Sequence, residues 1–198
     1  MIGKWNPSVI LTYLGTSVAI LGIWFVWQRN MNLAFVCLIW AGVLDLLDGP
    51  VARSIQRTEE EKRFGILLDT VSDVVSFLVF PVVICLGLGM SAPAYVPIYA
   101  LYVICGLARL SDFTSEQNDQ PVRYYRGLPV TYAALIFPFV YLAHRFMPLY
   151  IHGILYFISF ILVGILFILP IKVHKPRTFG IACFGILAIV LSVWYLWF

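Results

Sequence analysis

Four aspartates occur within one otherwise largely apolar region, in the stretch DLLDGPVARSIQRTEEEKRFGILLDTVSD. Asp45 and Asp48 are three residues apart, and Asp69 and Asp73 are four residues apart. Each pair therefore shares a face if its segment is helical. The two segments are joined by a short connection, which makes them antiparallel neighbours whose carboxylates can meet at one depth. The spacing predicts a single cluster of four carboxylates.

Such a cluster needs compensating charge. A carboxylate at bilayer depth costs roughly 2.5 to 3.5 kcal/mol, and only one arginine, Arg53, lies on the same helical stripe. Two divalent cations, Mg²⁺ or Mn²⁺, would neutralise the cluster and would find the hard oxygen ligands that they prefer. A metal pair can clamp a diphosphate and stabilise both oxygens of a displacement, so this pattern favours phosphoryl or phosphatidyl transfer. Two alternatives stay open here: polar contacts across a helix bundle, and the proton or cation path of a transporter.

Small residues accompany the aspartates on both stripes. Gly49, Ala52 and Gly65 keep the helix surfaces low where a nucleotide or a pyrophosphate would approach the backbone. Taken alone, the same residues would indicate close helix packing through small side chains. Beside four aligned aspartates, the ligand-binding interpretation is favoured.

The rest of the chain is apolar enough to lie in a membrane. Its 198 residues are 62% hydrophobic, with a mean hydropathy of +0.93. We expect an all-α, polytopic integral membrane helical bundle that forms one domain over residues 1–198. No cleavable signal peptide is evident, and the cysteines are expected to be buried rather than paired or zinc-bound. The predicted spans are 8–27, 32–54, 65–88, 93–112, 127–147, 150–171 and 178–198.

Lysine and arginine are distributed unequally among the predicted connections. With seven spans, 11 of the 13 fall on one side, and only Arg29 and Arg145 fall on the other. The positive-inside rule then places the N-terminus and the aspartates on the cytoplasmic side of the cell membrane. The formal net charge of +3 gives no reason to expect a nucleic-acid partner. The run TEEEKR between the second and third spans is expected to be a solvated loop that could also gate the site.

The spacing of these residues resembles the signature of the CDP-alcohol phosphotransferase family. That resemblance implies a six-helix core over about residues 1–171, with the segment at about 178–198 as a seventh transmembrane helix. One difference is the 11 residues between Arg53 and Gly65, where the family usually has eight. Loops lengthen at little cost, so we expect the site to be retained. The matching positions are Asp45, Asp48, Gly49, Ala52, Arg53, Gly65, Asp69 and Asp73.

The resemblance implies roles for these positions. The four aspartates would hold two metal ions, and Asp73 would also be the general base that accepts the proton of an attacking hydroxyl. The hydroxyl would attack the β-phosphorus of a CDP-linked lipid and release CMP. A homodimer is also implied. The residues expected around the CDP are Gly49, Ala52, Arg53 and Gly65, with a looser match at Asn6 and Thr12.

Further blocks resemble the phosphatidylserine synthase branch of the family. They are DVVSF after the last aspartate, GLARLSDF in the fourth span, YYRGLPVTYAAL before the fifth and KVHKP after the sixth. The implied substrates are CDP-diacylglycerol and L-serine. Arg109 and Arg126 are candidates to bind the serine carboxylate or the lipid phosphate, because a guanidinium binds either in a bidentate manner. The alternative for both is an anchor to anionic head groups, and other acceptors (glycerol 3-phosphate, inositol phosphate, choline or an archaeal-type lipid) stay open.

Overall fold

The computed structural model of the protein describes residues 3, 5–116, 124–143, 148–174 and 178–197. Within these ranges the chain forms eight α-helices joined mostly by short connections. Their bounds are α1 (Ile10–Trp27), α2 (Met31–Ser54), α3 (Glu59–Asp73), α4 (Phe80–Gly87), α5 (Val96–Glu116), α6 (Ala133–Leu142), α7 (Leu149–Ile168) and α8 (Thr178–Trp197). Short 3-10 helices precede α1, α5 and α6, at Pro7–Val9, Pro93–Tyr95 and Val130–Tyr132.

Six helical segments of the described chain are long and apolar enough to cross a bilayer. Large apolar side chains cover the outer faces of α1, α7 and α8, as expected of a surface in contact with lipid. These findings confirm the predicted polytopic membrane bundle. The fifth predicted span is occupied by a shorter apolar helix, Val130–Leu142, and residues 144–147 lie outside the described ranges. The six long segments are Pro7–Trp27, Met31–Ser54, Glu59–Gly87, Pro93–Ser115, Ile151–Ile168 and Gly180–Trp197.

The helix that carries the first two aspartates lies inside the bundle. α2 packs against α1, α6 and α8, and α3 packs against α1 and α5. One side of the apolar part of α2 is buried, with Phe35, Leu38 and Ile39 at 0% exposure. Because α2 is fixed on several sides, the carboxylates at its C-terminal end have a defined position.

The run TEEEKR is helix and not loop, so this prediction is wrong. α3 begins at Glu59, and Thr58 caps it: the backbone N–H of Glu61 donates to Oγ1 of Thr58, and the N–H of Thr58 donates to Oε2 of Glu61. This reciprocal pair is a capping box, which satisfies two N–H groups that a helix start otherwise leaves unpaired. Most of the long spacing between Arg53 and Gly65 is therefore taken up by the first turns of α3.

A π-helical segment, Val74–Val79, follows Asp73 directly and joins α3 to α4. The N–H of Phe80 donates to the carbonyl of Val75, five residues earlier. Pro81 has no N–H, so the carbonyl four residues before it, that of Phe77, lacks its α-helical donor. The hydroxyl of Tyr102 donates to this carbonyl instead, at 2.6 Å. π-Helical turns are frequent at functional sites, and this one fixes the helix just beyond an aspartate of the cluster.

Two short strands form an antiparallel ribbon near the same end of the bundle. β1 (Tyr124–Arg126) pairs with β2 (Lys172–His174), which follows the C-terminal end of α7. Gly127, the residue after β1, has a φ of +75°, and a Cβ there would collide with the carbonyl oxygen of Phe167. A glycine is required at this position on both counts. The ribbon thereby fixes the start of the segment that leads into α6.

Three of the cysteines are buried as predicted, and one is not. Cys37, Cys85 and Cys105 lie in the interior, whereas Cys183 is exposed on α8. The prediction is wrong for Cys183 because α8 is an outer helix, with one face toward the bundle and the other turned away.

Candidate active site

The structure brings the two aspartate pairs together. Side-chain oxygens of Asp45, Asp48 and Asp69 lie within 4.8 Å of one another. Asp73, only 8% exposed, contacts Asp45, and Asp69 contacts Asp48, in each case through side-chain oxygens. The four carboxylates therefore form two cross-helix pairs between α2 and α3, as the spacing predicts.

Two threonine hydroxyls bind the carboxylates of α2. Oγ1 of Thr12, at the start of α1, donates to Oδ2 of Asp48 at 3.0 Å. Oγ1 of Thr131, in the short helix before α6, donates to Oδ2 of Asp45 at 2.7 Å. The two aspartates are thus held from two different elements of the bundle.

The residues of the cluster fit a divalent cation. Oδ1 of Asp69 is buried and has no hydrogen-bond partner among the described residues, which is costly unless another group satisfies it. In the described lining of the cavity, four carboxylates lie beside two guanidinium groups, those of Arg53 and Arg109, so negative charge is in excess there. Carboxylate oxygens are the ligands that Mg²⁺ and Mn²⁺ prefer. The donor set therefore suits these ions.

The aspartates line a cavity of about 200 Å³ that opens between the ends of several helices. Its described lining includes residues from α2, α3, α5, the short helix before α6, and α8. They are Asp45, Leu46, Asp48, Gly49, Pro50, Arg53, Asp69, Asp73, Arg109, Phe113, Pro129, Thr131, Tyr132 and Ile181.

Each of the two arginines of the cavity lies against a neighbour that limits its position. Nη1 of Arg53 lies 3.4 Å from the position that a Cβ on Gly49 would occupy. The Arg109 side chain is 7% exposed, and its guanidinium carbon lies 4.9 Å from the centre of the Phe113 ring. A guanidinium over an aromatic face is a favourable arrangement that leaves its edge available for hydrogen bonds. Arg53 and Arg109 bring positive charge from α2 and α5 to the same space.

The other predicted CDP contacts lie outside this cavity, as far as the described lining shows. Oδ1 of Asn6 accepts the N–H of Ser8 at 2.8 Å and caps the first short helix. Gly65 faces Arg57 and Val9, at 3.7 and 3.9 Å from an added Cβ. Ala52 is half-buried on α2. Thr12 lies next to the cluster through its bond to Asp48.

The second predicted acceptor arginine, Arg126, is described only in its backbone. It forms the end of β1, opposite Lys172, and its side chain lies outside the described part of the structure. Its role stays a prediction.

Several residues of the site were not predicted from the sequence. Thr131, Pro129 and Tyr132 belong to the block GLPVTY, which indicated only a resemblance to the phosphatidylserine synthase branch. Phe113 lies one helical turn after Arg109, on the same face of α5, and could have been found from that spacing. Ile181 has no local signal, because it is one apolar residue among many in α8.

The sequence model of the family described as CDP-alcohol phosphatidyltransferase matches residues 5–194. This match covers almost the whole chain, and the protein belongs to that family of membrane-bound phospholipid-synthesis enzymes. The expected family membership is therefore confirmed.

Relatives within the family carry related names. The chain is 28% identical over 173 residues to an archaetidylserine synthase of Methanothermobacter thermautotrophicus, covering 86% of this chain and 70% of the relative. It is 34% identical over 109 residues to a CDP-diacylglycerol–serine O-phosphatidyltransferase of Saccharomyces cerevisiae, covering 51% and 38%. For an enzyme of the same name from Helicobacter pylori the figures are 31% over 146 residues, 66% and 56%. The matched part is less than two thirds of the yeast and Helicobacter proteins.

Proposed function

We propose that this protein transfers a phosphatidyl group from CDP-diacylglycerol to the hydroxyl of L-serine, and that it releases CMP. The observation that carries the proposal is the convergence of four aspartates and two arginines on one cavity. The family supplies the CDP-alcohol chemistry. The names of the relatives favour serine as the acceptor.

In this proposal Asp45, Asp48, Asp69 and Asp73 hold two divalent cations, Mg²⁺ or Mn²⁺. Such ions, when bound, supply positive charge to a diphosphate and stabilise the oxygens of a displacement. The excess of carboxylates over guanidinium groups in the cavity supports this assignment.

The CDP part of the donor is proposed to lie along the α2 and α3 stripes. Arg53, which lies over Gly49, would bind two oxygens of a phosphate through two parallel hydrogen bonds. The small surfaces of Gly49, Ala52 and Gly65 leave room for the nucleotide, with Thr12 and Asn6 at the α1 side.

The acceptor is proposed to enter from the side of α5. Arg109 would bind the serine carboxylate or the lipid phosphate, and Arg126 is a second candidate. The serine oxygen forms a bond to the β-phosphorus, and the bond from that phosphorus to the bridging oxygen breaks. CMP leaves with the bridging oxygen, and Asp73 accepts the serine proton. The buried position of Asp73 beside Asp45 keeps this base within the cavity.

A second candidate changes only the donor lipid. The archaetidylserine synthase matches the largest share of the chain among the three relatives above, at 86%, which favours an archaeal-type lipid attached to CDP, with serine unchanged. The other acceptors (glycerol 3-phosphate, inositol phosphate, choline) share the site chemistry but have no comparable support. The transport alternative is set aside, because the family is one of enzymes.

The test is CMP release by detergent-purified protein with Mg²⁺ or Mn²⁺. CDP-diacylglycerol and a CDP-linked archaeal-type lipid are supplied in separate reactions, each with one acceptor at a time. Serine-dependent release is the expected result, and the better donor distinguishes the two candidates. Release only with another acceptor would contradict the serine assignment, and no release with any combination would contradict the proposed activity.

The aspartate end of the bundle would lie on the cytoplasmic side of the cell membrane, because Arg53, Arg57, Lys62 and Arg63 lie at that end. The protein would act as a homodimer. Nothing in the described part of the chain lies within 4 Å of a Cβ added to Gly185 on α8, so this helix offers an open surface on which a second copy could pack.

A further inference from the structure

Thr131 is a buried residue whose hydroxyl bonds a carboxylate of the cluster. It is 7% exposed, and its hydroxyl donates to Oδ2 of Asp45 at 2.7 Å. The residues are 86 positions apart in the sequence, so the contact depends on the tertiary structure. A hydrogen bond to a charged acceptor is shorter and stronger than one between neutral groups.

The segment that carries Thr131 is fixed independently of α2. The N–H of Gly127 donates to the carbonyl of Ile171, and the N–H of Leu128 donates to that of Leu166, both at 2.9 Å. Pro129 then precedes the short helix that contains Thr131. The hydroxyl is therefore presented to Asp45 from a backbone anchored on the end of α7.

The bond restricts what the Asp45 carboxylate can do. One oxygen, Oδ2, already accepts the threonine hydroxyl, which fixes the rotation of the carboxylate and directs the other oxygen. Thr12 holds Oδ2 of Asp48 in a similar way, one helical turn further along α2. The carboxylates of α2 are thus oriented by hydroxyls from two other elements, the start of α1 and the short helix before α6.

We propose that Thr131 is a positioning residue, which orients Asp45 for binding of a divalent cation. This inference rests on the proposed role of Asp45 as a metal ligand. Partners that orient metal ligands typically change metal affinity by about 10- to 100-fold when they are removed. Thr131→Val keeps the shape of the side chain and removes the hydroxyl, and Thr131→Ser keeps the hydroxyl.

The experiment measures Mn²⁺ binding to the purified protein without any substrate. The free-Mn²⁺ signal in electron paramagnetic resonance gives the dissociation constant for the wild type, Thr131→Val and Thr131→Ser. We expect the constant to rise about 10- to 100-fold in Thr131→Val and to stay within about threefold of the wild type in Thr131→Ser.

A matched control is Thr114→Val. The Thr114 hydroxyl bonds Thr70 at 2.9 Å between α5 and α3, without touching a carboxylate of the cluster. Mn²⁺ affinity in this variant should equal that of the wild type. Equal losses in Thr131→Val and Thr114→Val would overturn the inference, because a general loosening of the bundle would then explain both.

The outcomes separate the inference from the function on which it rests. Wild-type Mn²⁺ affinity in Thr131→Val, with binding abolished in Asp69→Asn, would overturn the role of Thr131 alone. A wild type that binds no Mn²⁺ would overturn the metal centre and the inference with it. If Thr131→Val does not fold, as judged by size-exclusion chromatography, Thr131→Ala compared with Thr131→Ser gives the same contrast.

Discussion

The two ends of the bundle are held together by different kinds of hydrogen bond. At the carboxylate end, side chains bond side chains: Thr12 with Asp48, Thr131 with Asp45, Thr16 with Ser72 and Thr70 with Thr114. In the middle and at the opposite end, buried tyrosine hydroxyls donate to backbone carbonyls. These bonds join Tyr99 to Met90, Tyr102 to Phe77, Tyr156 to Phe137 and Tyr195 to Pro138.

The difference separates chemistry from stability. Around Tyr102, the rings of Phe137, Phe160 and Phe167 pack with centroids 4.7 to 5.7 Å away. This region is therefore an aromatic core, and the Tyr102 hydroxyl in it donates to a backbone carbonyl. The carboxylate end instead contains a cavity whose described lining has more carboxylates than guanidinium groups, and an Asp69 oxygen that has no hydrogen-bond partner among the described residues. We expect substitutions of the carboxylates and of residues that bond them to reduce activity with little loss of stability, and substitutions of the buried tyrosines to do the reverse.

The largest effect is expected for Asp69→Asn. Loss of one carboxylate should reduce CMP release to background, while thermal stability without added metal stays equal or rises by about 0.5–2 kcal/mol, because repulsion among the carboxylates is relieved. CMP release by the detergent-purified protein measures the activity, and its thermal unfolding measures the stability. Asp112→Asn, an exposed aspartate on α5, is the control. Substantial activity in Asp69→Asn would contradict the metal centre.

Arg109→Ala should have the next largest effect, and it should be specific to the acceptor. A lost hydrogen bond between charged groups is worth about 1.5–3 kcal/mol, so the KM for serine should rise roughly 10- to 100-fold with little change in the affinity for CDP. Steady-state kinetics measure the KM for serine, and a separate binding experiment measures the affinity for CDP. Arg63→Ala, an exposed arginine on α3, should behave as the wild type. Equal losses of serine and CDP affinity would remove the assigned role of Arg109.

Tyr102→Phe tests the buried tyrosines. The substitution leaves the Phe77 carbonyl without its tyrosine donor in a buried place, which costs about 1–3 kcal/mol of unfolding free energy. Activity per folded molecule should stay within about threefold of the wild type at low temperature. Tyr95→Phe is the control, because the Tyr95 ring stacks on Tyr99 and the substitution retains the ring. A loss of activity without a loss of stability would reverse the comparison.

The smallest effect is expected for Ser72→Ala. It removes a hydroxyl bridge of 2.6 Å to Thr16 at the carboxylate end, worth about 0.5–1.5 kcal/mol. CMP release should stay within about twofold of the wild type, since neither residue bonds a carboxylate. A large loss of CMP release in Ser72→Ala would show that a hydroxyl bridge at this end affects catalysis without bonding a carboxylate, and it would contradict the particular role assigned to Thr131.

The sequence predicted the aspartate cluster because helical periodicity alone determines which residues share a face. Asp45 and Asp48 lie one turn apart, as do Asp69 and Asp73, and a short connection leaves the two helices few ways to pack. The membrane spans were predicted from hydropathy, which also depends only on residues close together in the sequence. The start of α3 was missed because hydropathy ends a span at the first charges, although Thr58 and Glu61 already showed the spacing of a capping box.

The residues that complete the cavity could not be predicted in this way. Thr131 meets Asp45 across 86 positions, and Ile181 comes from the last helix. Such contacts depend on how helices from distant parts of the chain pack. The resemblance to relatives pointed to the block around Thr131, but it did not indicate which side chain reaches the cluster.

The contribution of α8 has a consequence for biosynthesis. Ile181 lines the cavity and is made more than a hundred residues after Asp73, a delay of roughly 5–20 s at common translation rates. During that time α2 and α3 have left the ribosome while one wall of their cavity has not been synthesised. The insertion machinery therefore handles two helices whose carboxylates are still open on one side, and the site closes only after the last helix has entered the membrane.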